Sequence, residues 1–229
     1  MAVIHKTTLS PTKMELLAPW LPTQPWYVRT EREPELTRVG GFRLDDPQGE
    51  VGIEFMVVTD ASGDRPVSYH VPVTYRGAPL DGAEQALIGT PEHGVLGQRW
   101  VYDGTHDPVL VAQLLAFFQG RAEAQAQSVS DTPDPTVARS FSGADLSGVA
   151  GPSAVTSGSY GTDVAVGSAQ GGDPAGPLTI RVSRLLRPGQ QEAPEPGATT
   201  ARGHVAAGWR GPDGEENRGV FAVLYDTAP

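Results

Sequence analysis

The stretch Gln98 to Gln127, QRWVYDGTHDPVLVAQLLAFFQGRAEAQAQ, constrains the fold more tightly than any other. Trp100, Val101 and Tyr102 are bulky strand formers. Asp103-Gly104 is a turn dipeptide. Asp107 followed by Pro108 predicts an N-cap and a first helical residue, because the missing proline N–H would have no intrahelical acceptor there. Leu110, Val111, Leu114, Leu115 and Phe118 then recur at the spacing of one helical face. The chain before this stretch reads as an ordered α+β unit, and the chain after it changes in composition.

Ahead of it, Ala2 to Leu9 alternates weakly and reads as a first strand, and Ser10-Pro11 as a helix start. Pro19 and Pro22 keep that helix short. Arg29 to Glu35 is a charged, solvated loop. Three strands follow: Glu35 to Leu44, with Gly40-Gly41 as a bulge or close backbone approach, then Val51 to Thr59 and Val67 to Tyr75. The last alternates Val67, Tyr69, Val71, Val73 and Tyr75, which predicts one buried face. Short turns between these strands argue for an antiparallel meander. Leu80 to Leu87 reads as a helical turn and Gly89 to Gly97 as a loop.

Beyond Gln127, Ser142 to Ser159 is rich in Gly, Ser and Ala and reads as a loop. Asp163 to Gly167, Leu178 to Leu186, His204 to Arg210 and Val220 to Tyr225 read as strands. Gly/Pro-rich loops fill Gly171 to Pro177 and Pro188 to Thr200. The expected division is an α+β domain over 1–127, a linker over 128–159 and a β-rich part over 160–229, packed on the first.

Composition narrows the chemistry. A chain of 229 residues buries roughly 70% of its unfolded surface, so a core needs no covalent staples. With no cysteine, disulfides, thiol nucleophiles and Cys-based zinc sites are excluded. A net charge of −10 repels nucleic acid and anionic lipid. No apolar run approaches the ~20 residues of a membrane span, and MAVIHKTTLS lacks the apolar run of a signal peptide. These observations predict a cytoplasmic protein.

Residues 1–127 resemble the N-terminal cap domain of bacterial maltokinases, which phosphorylate maltose with ATP on the route linking trehalose to α-glucan. The matching features are the VIHKTTLSPTK opening, PWLPTQPWY, the meander, AEQALIGT at Ala83 to Thr90, and RWVYDGTHDPVLVAQLL at Arg99 to Leu115. The resemblance implies a curved antiparallel sheet with packed helices, cystatin-like in topology. Tyr160 to Gly167, Leu178 to Gly189, His204 to Trp209 and Gly219 to Leu224 resemble the strands of a kinase-like N-lobe that follows the cap in this family. The lobe carrying the catalytic aspartate and metal-binding carboxylates has no counterpart in the sequence. The resemblance therefore implies a maltokinase N-lobe without its catalytic half.

Bottom-up, no catalytic motif competes with this. There is no Walker lysine, dinucleotide glycine fingerprint, HExxH or GxSxG, and no cofactor is implied. His5, His70, His93, His106 and His204 are scattered and predict no metal site. Asp45-Asp46, Asp103/Asp107 and Glu215-Glu216 could be acid pairs for glycoside chemistry, but turns and helix starts use such residues to satisfy backbone N–H groups. Trp100, Tyr102 and Trp209 could form a sugar-stacking platform, although aromatic residues on strands more commonly fill cores. Ser157 to Gly161 could cradle phosphate, but has no lysine near it. Arg181 occupies the position matching the nucleotide-binding strand lysine of kinase-like N-lobes. Arginine there predicts no tight ATP site and equally suits pairing with a carboxylate. The leading expectation is a non-catalytic interaction or regulatory protein of trehalose, maltose or glycogen metabolism, partnered with an enzyme of that pathway. The alternatives are an α-glucan-metabolising enzyme, and a module binding maltose, α-glucan or a sugar phosphate.

Overall fold

The structure is a computed structural model describing residues 8–129, 131–143, 145–146, 149–159, 161–168, 178–189 and 201–226. Among the described residues it is mostly β, with one large antiparallel sheet and two short α-helices. Strands β1 (Leu36–Asp45), β2 (Gly52–Asp60) and β3 (Val67–Arg76) form the expected meander. Strand β4 (Trp100–Asp103) joins the second half of β3, and Leu87–Gly89 lies outside β4. The Asp46 carboxylate makes the β1–β2 turn by accepting from the backbone N–H groups of Gln48, Glu50 and Val51, each at 3.0 Å.

The later strands extend the same sheet. They are β5 (Val149–Ser157), β6 (Gly161–Ser168), β7 (Leu178–Ser183), β8 (Leu185–Leu186), β9 (Ala201–Arg210) and β10 (Glu216–Asp226). The order is β5-β6-β7-β10-β9-β1-β2-β3-β4. Strand β7 continues through Arg184 into β8, which pairs back onto β3 through Leu185 with Tyr69 and Leu186 with Ser68. The His70 N–H also donates to Arg184 O at 2.9 Å. The path from β3 through β2, β1, β9, β10 and β7 thus returns to β3, and the sheet closes on itself. The β9–β1 contact is a single pair, Trp209 with Gly40. It is tight because a Cβ on Gly40 would lie 2.9 Å from the Trp209 Cβ. A register shift between Arg38 and Gly40 supplies the expected bulge.

Closure explains a departure from the expected burial. Alternation predicted one buried face for Val67 to Tyr75, yet Tyr69 through Thr74 are all buried. His70 points into the main core, where its ring lies 4.4 Å from Phe221 and 5.9 Å from Phe55. Tyr69, Val71 and Val73 point the other way, with Met56 and Val58, and are covered by Leu17, Trp20 and Trp26. Each such large apolar side chain contributes about 1.5–3 kcal/mol on burial.

Helix α1 (Lys13–Trp20) provides part of that cover. Its N-cap is Thr12, not Ser10-Pro11: Thr12 Oγ1 accepts from Glu15 N, and Glu15 reaches back to Thr12 N, forming a capping box. Pro19 lies within its last turn, and the chain tightens to 3₁₀ over Leu21–Thr23. Helix α2 (Pro108–Phe118) starts as expected, with Asp107 capping Val109 N at 2.9 Å. Its apolar face is wide enough to include Phe117, and it packs with Phe42, Phe55, Val164, Ile180 and Phe221 in the main core. Arg139 donates to Phe118 O at 3.2 Å and so satisfies a carbonyl at its C-terminal end.

Two expectations change in the connecting segments. Val149–Ser157, inside the stretch expected as loop, is strand β5, and Ala138–Phe141 pairs with β9. The small residues that suggested a loop let β5 lie closely over the start of α2. Glu92–His93 and Gly97–Gln98 form a small hairpin that pairs with Leu9–Ser10, within the segment expected to be loop. Most of the proposed first strand, Ala2 to Leu9, lies outside the described residues. So do Gly171 to Pro177 and most of Pro188 to Thr200.

Candidate functional site

A groove of ≈ 470 Å³ lies on the seam between the β3–β4 end of the sheet and the β5–β6 end. One wall is the turn Leu80 to Ala83, and the other comes from Gly151 to Ser153 and Gly167. His106 and Pro108, at the entry to α2, complete it. The turn is pinned from both sides. Leu80 N–H donates to the Tyr102 hydroxyl at 2.9 Å, and Gly82 N–H to a Glu84 carboxylate oxygen at 3.2 Å. Gly82 has φ +75°, which favours glycine. A Cβ on Gly151 would sit 2.8 Å from the Pro108 Cβ, so glycine lets the two walls approach. His106 is half-buried. Burial lowers its proton affinity, the Asp103 charge opposes that, and Arg184 adds to it, so the ring is neutral at pH 7.

Close to His106 is a buried ion pair. Arg184 Nη2 donates to Asp103 Oδ2 at 2.6 Å and to Thr105 Oγ1 at 3.2 Å, while Arg184 Nε donates to Thr162 Oγ1 at 2.8 Å. Thr105 supplies both its N–H, at 3.1 Å, and its hydroxyl, at 2.8 Å, to Asp103 Oδ1. The Trp26 ring lies 5.1 Å from the guanidinium. Burial alone would raise the Asp103 pKa. The Arg184 charge and the hydrogen bonds from Arg184 and Thr105 outweigh it and hold the carboxyl below the usual range.

A second buried carboxylate, Glu54, faces α1. It accepts from Lys13, from the Tyr75 hydroxyl at 2.7 Å and from Gln127 Nε2 at 2.8 Å, with Arg38 at 3.9 Å. Burial would raise its pKa, but Lys13 and these donors overcome that and lower it. Asp107 holds Arg76 in a two-point pair at 2.6 and 2.7 Å while capping α2. Asp60 accepts from the Tyr27 hydroxyl and from the backbone of Glu35 and Ser62. Glu54, Asp60 and Asp103 are thus held in their ionised form, and Asp107 is committed to Arg76 and to the α2 cap. A general acid for glycoside chemistry needs the opposite, a carboxyl kept protonated. Among the described residues no group of three or more His, Asp or Glu side chains is placed to hold a metal.

The residues singled out from sequence do not converge. Trp100 is half-buried and Tyr102 buried, and both pack near Leu80, Ala83 and Ala86. Trp209 lies in the main core with its ring 6.3 Å from that of Phe221. Of the aromatic residues considered for sugar stacking, Tyr102 and Trp209 are thus buried in separate clusters, and Trp100 lies beside the first of them. Arg181 sits on β7 with its guanidinium on Asp163, at 2.8 and 2.9 Å, and 5.9 Å from the Tyr225 ring. Sequence reading set His106 aside, took Asp103 as a turn residue and did not weigh Arg184. The available signal was the small-residue segments GAPLDGA and AGPS, which let the groove walls lie close.

Among the described residues no helix is long and apolar enough to cross a membrane. No curated protein matches the chain. Residues 20–107 match the sequence profile of the maltokinase N-terminal cap domain, a segment that takes in the last residue of α1, the meander, β4 and the Asp107 cap. Over that segment the chain is therefore similar to the maltokinase N-terminal cap domain.

Proposed function

We propose that the protein is a non-catalytic interaction module of maltose, trehalose and glycogen metabolism, working in the cytoplasm beside an enzyme that acts on these sugars. The cap-domain match over residues 20–107 supports the pathway. The observation that carries the non-catalytic reading is the state of the carboxylates. Asp103, Glu54 and Asp60 are held in their ionised form by fixed partners, which suits none of these three to act as a general acid, and the oxygens of Asp46 and Asp107 are occupied by backbone N–H groups and by Arg76. The groove on the seam favours a second reading, a small-molecule binding module, since ligand sites concentrate at such junctions.

The test is direct. The purified chain, incubated with maltose and ATP·Mg²⁺, should form no maltose 1-phosphate, while a maltose- or glycogen-acting enzyme mixed with it should change in rate or bind it in solution. Maltose 1-phosphate formed in proportion to the protein after repurification would overturn the proposal.

A further inference from the structure

We propose that the seam groove binds an alkylammonium group, with Asp81 as its counter-charge. Asp81 lines the groove, and Glu84 places a second carboxylate on the same turn through its bond to Gly82 N–H. Among the described residues no lysine or arginine lines the groove, and burial lowers the proton affinity of His106. Part of the lining suits methylene groups: Leu80, Ala83, Pro108 and Pro152 supply apolar side chains beside His106 and Ser153. Negative charge at one rim beside apolar walls matches an ammonium head on an alkyl stem, which buries the stem and keeps its charge near a carboxylate. The chain's −10 net charge draws cations towards the groove and repels anions. Asp81 is exposed, so the attraction is screened and the affinity is modest.

The same chemistry has two sources, a free aliphatic amine or a lysine side chain of a partner protein. The inference does not depend on the pathway assigned above, and its failure would leave that assignment standing.

The experiment titrates the full chain with butylammonium, 1-butanol and butyrate while following the backbone amides of residues 80–83 and 151–153 by NMR. Butylammonium should shift these amides with millimolar affinity that weakens as salt is added, and neither 1-butanol nor butyrate should do so at equal concentration. Asp81→Asn should weaken binding by about two- to fivefold. Asp213→Asn, the same charge change in the β9–β10 turn, should leave it unaltered. Tighter binding of putrescine than of Nα-acetyl-lysine methylamide would identify a free amine, and the reverse a lysine side chain; either supports the proposal. Equal binding of 1-butanol or maltose, an unchanged Asp81→Asn, or no shift with butylammonium would overturn it.

Discussion

Arg184 donates to Asp103 across 2.6 Å, and the two residues lie 81 positions apart in sequence, with neither side chain open to solvent. Removing one partner strands a charge that the core cannot solvate. Arg184→Ala should therefore cost about 3–5 kcal/mol. The double variant Arg184→Met, Asp103→Leu should cost less than the single truncation, because it leaves no orphaned charge. Urea denaturation of the three proteins measures this. An Arg184→Ala protein within about 1 kcal/mol of the parent would contradict a buried, necessary pair.

Acid should destabilise the fold in two stages. His70 is buried beside Arg184 and takes a proton only at about pH 3, against about 6.5 in the unfolded chain. Between those values the unfolded state holds the extra proton, so stability falls as pH drops through the window, by up to about 1.4 kcal/mol per pH unit. His106 acts with the same sign. Asp103 and Glu54 have lowered folded pKa values, so their contribution is present above the unfolded value of about 4 and is lost as pH falls towards the folded ones. Denaturant midpoints from pH 7 to 3 should show a shallow loss below 6.5 and a steeper one below about 4. In His70→Gln the first stage should be smaller. An identical slope there would remove His70 as its source.

Gly41→Ala should be more damaging than an ordinary strand substitution. Gly41 has φ +128°, and an added Cβ would collide with Phe55 O, which belongs to the neighbouring backbone and cannot rotate away. A loss of about 1–3 kcal/mol or more is expected. Gly214→Ala, at φ +79° with open space around it, carries backbone strain without collision and should cost less. Thermal or urea unfolding separates the two, and equal losses would mean the close approach is absent.

ATP should not bind tightly at Arg181. Its fork is filled by Asp163, and a polyanion would have to displace that carboxylate against a net charge of −10. Calorimetry with ATP·Mg²⁺ should give a dissociation constant no better than about 1 mM. A micromolar site lost in Arg181→Ala would show that β7 reads nucleotide after all.

Local signals in the sequence were dependable where one element decides its own shape. The Asp107-Pro108 start of α2, the Gly40-Gly41 irregularity and the turn built on Asp46 were all legible because cap, bulge and turn chemistry act over a few residues. The helix at Thr12 began two positions later than Ser10-Pro11 suggested, since the capping box with Glu15 decides the boundary. Sheet closure was not legible. Nothing around Tyr69 announces Leu185 as its neighbour, so the second buried face of β3 could not be foreseen. The candidate site was the least visible part. Its walls are Gly, Pro and Ala, residues with no chemistry to flag, and its charged neighbours Asp103 and Arg184 meet only after the sheet has closed.

The pairing of β8 with β3 also limits how this cap can travel between proteins. His70 and Ser183, which it brings into contact, are 113 positions apart, so the cap's own residues do not include the strand that seals its edge. Until that strand arrives, Ser68 to His70 present unpaired backbone flanked by strong strand formers, a ready template for a neighbouring nascent chain. A recombination event that moved residues 20–107 into another gene would carry the open edge with it. In this chain Leu185–Leu186 close that edge from outside the matched segment, so the stability of the cap here depends on sequence far downstream of it.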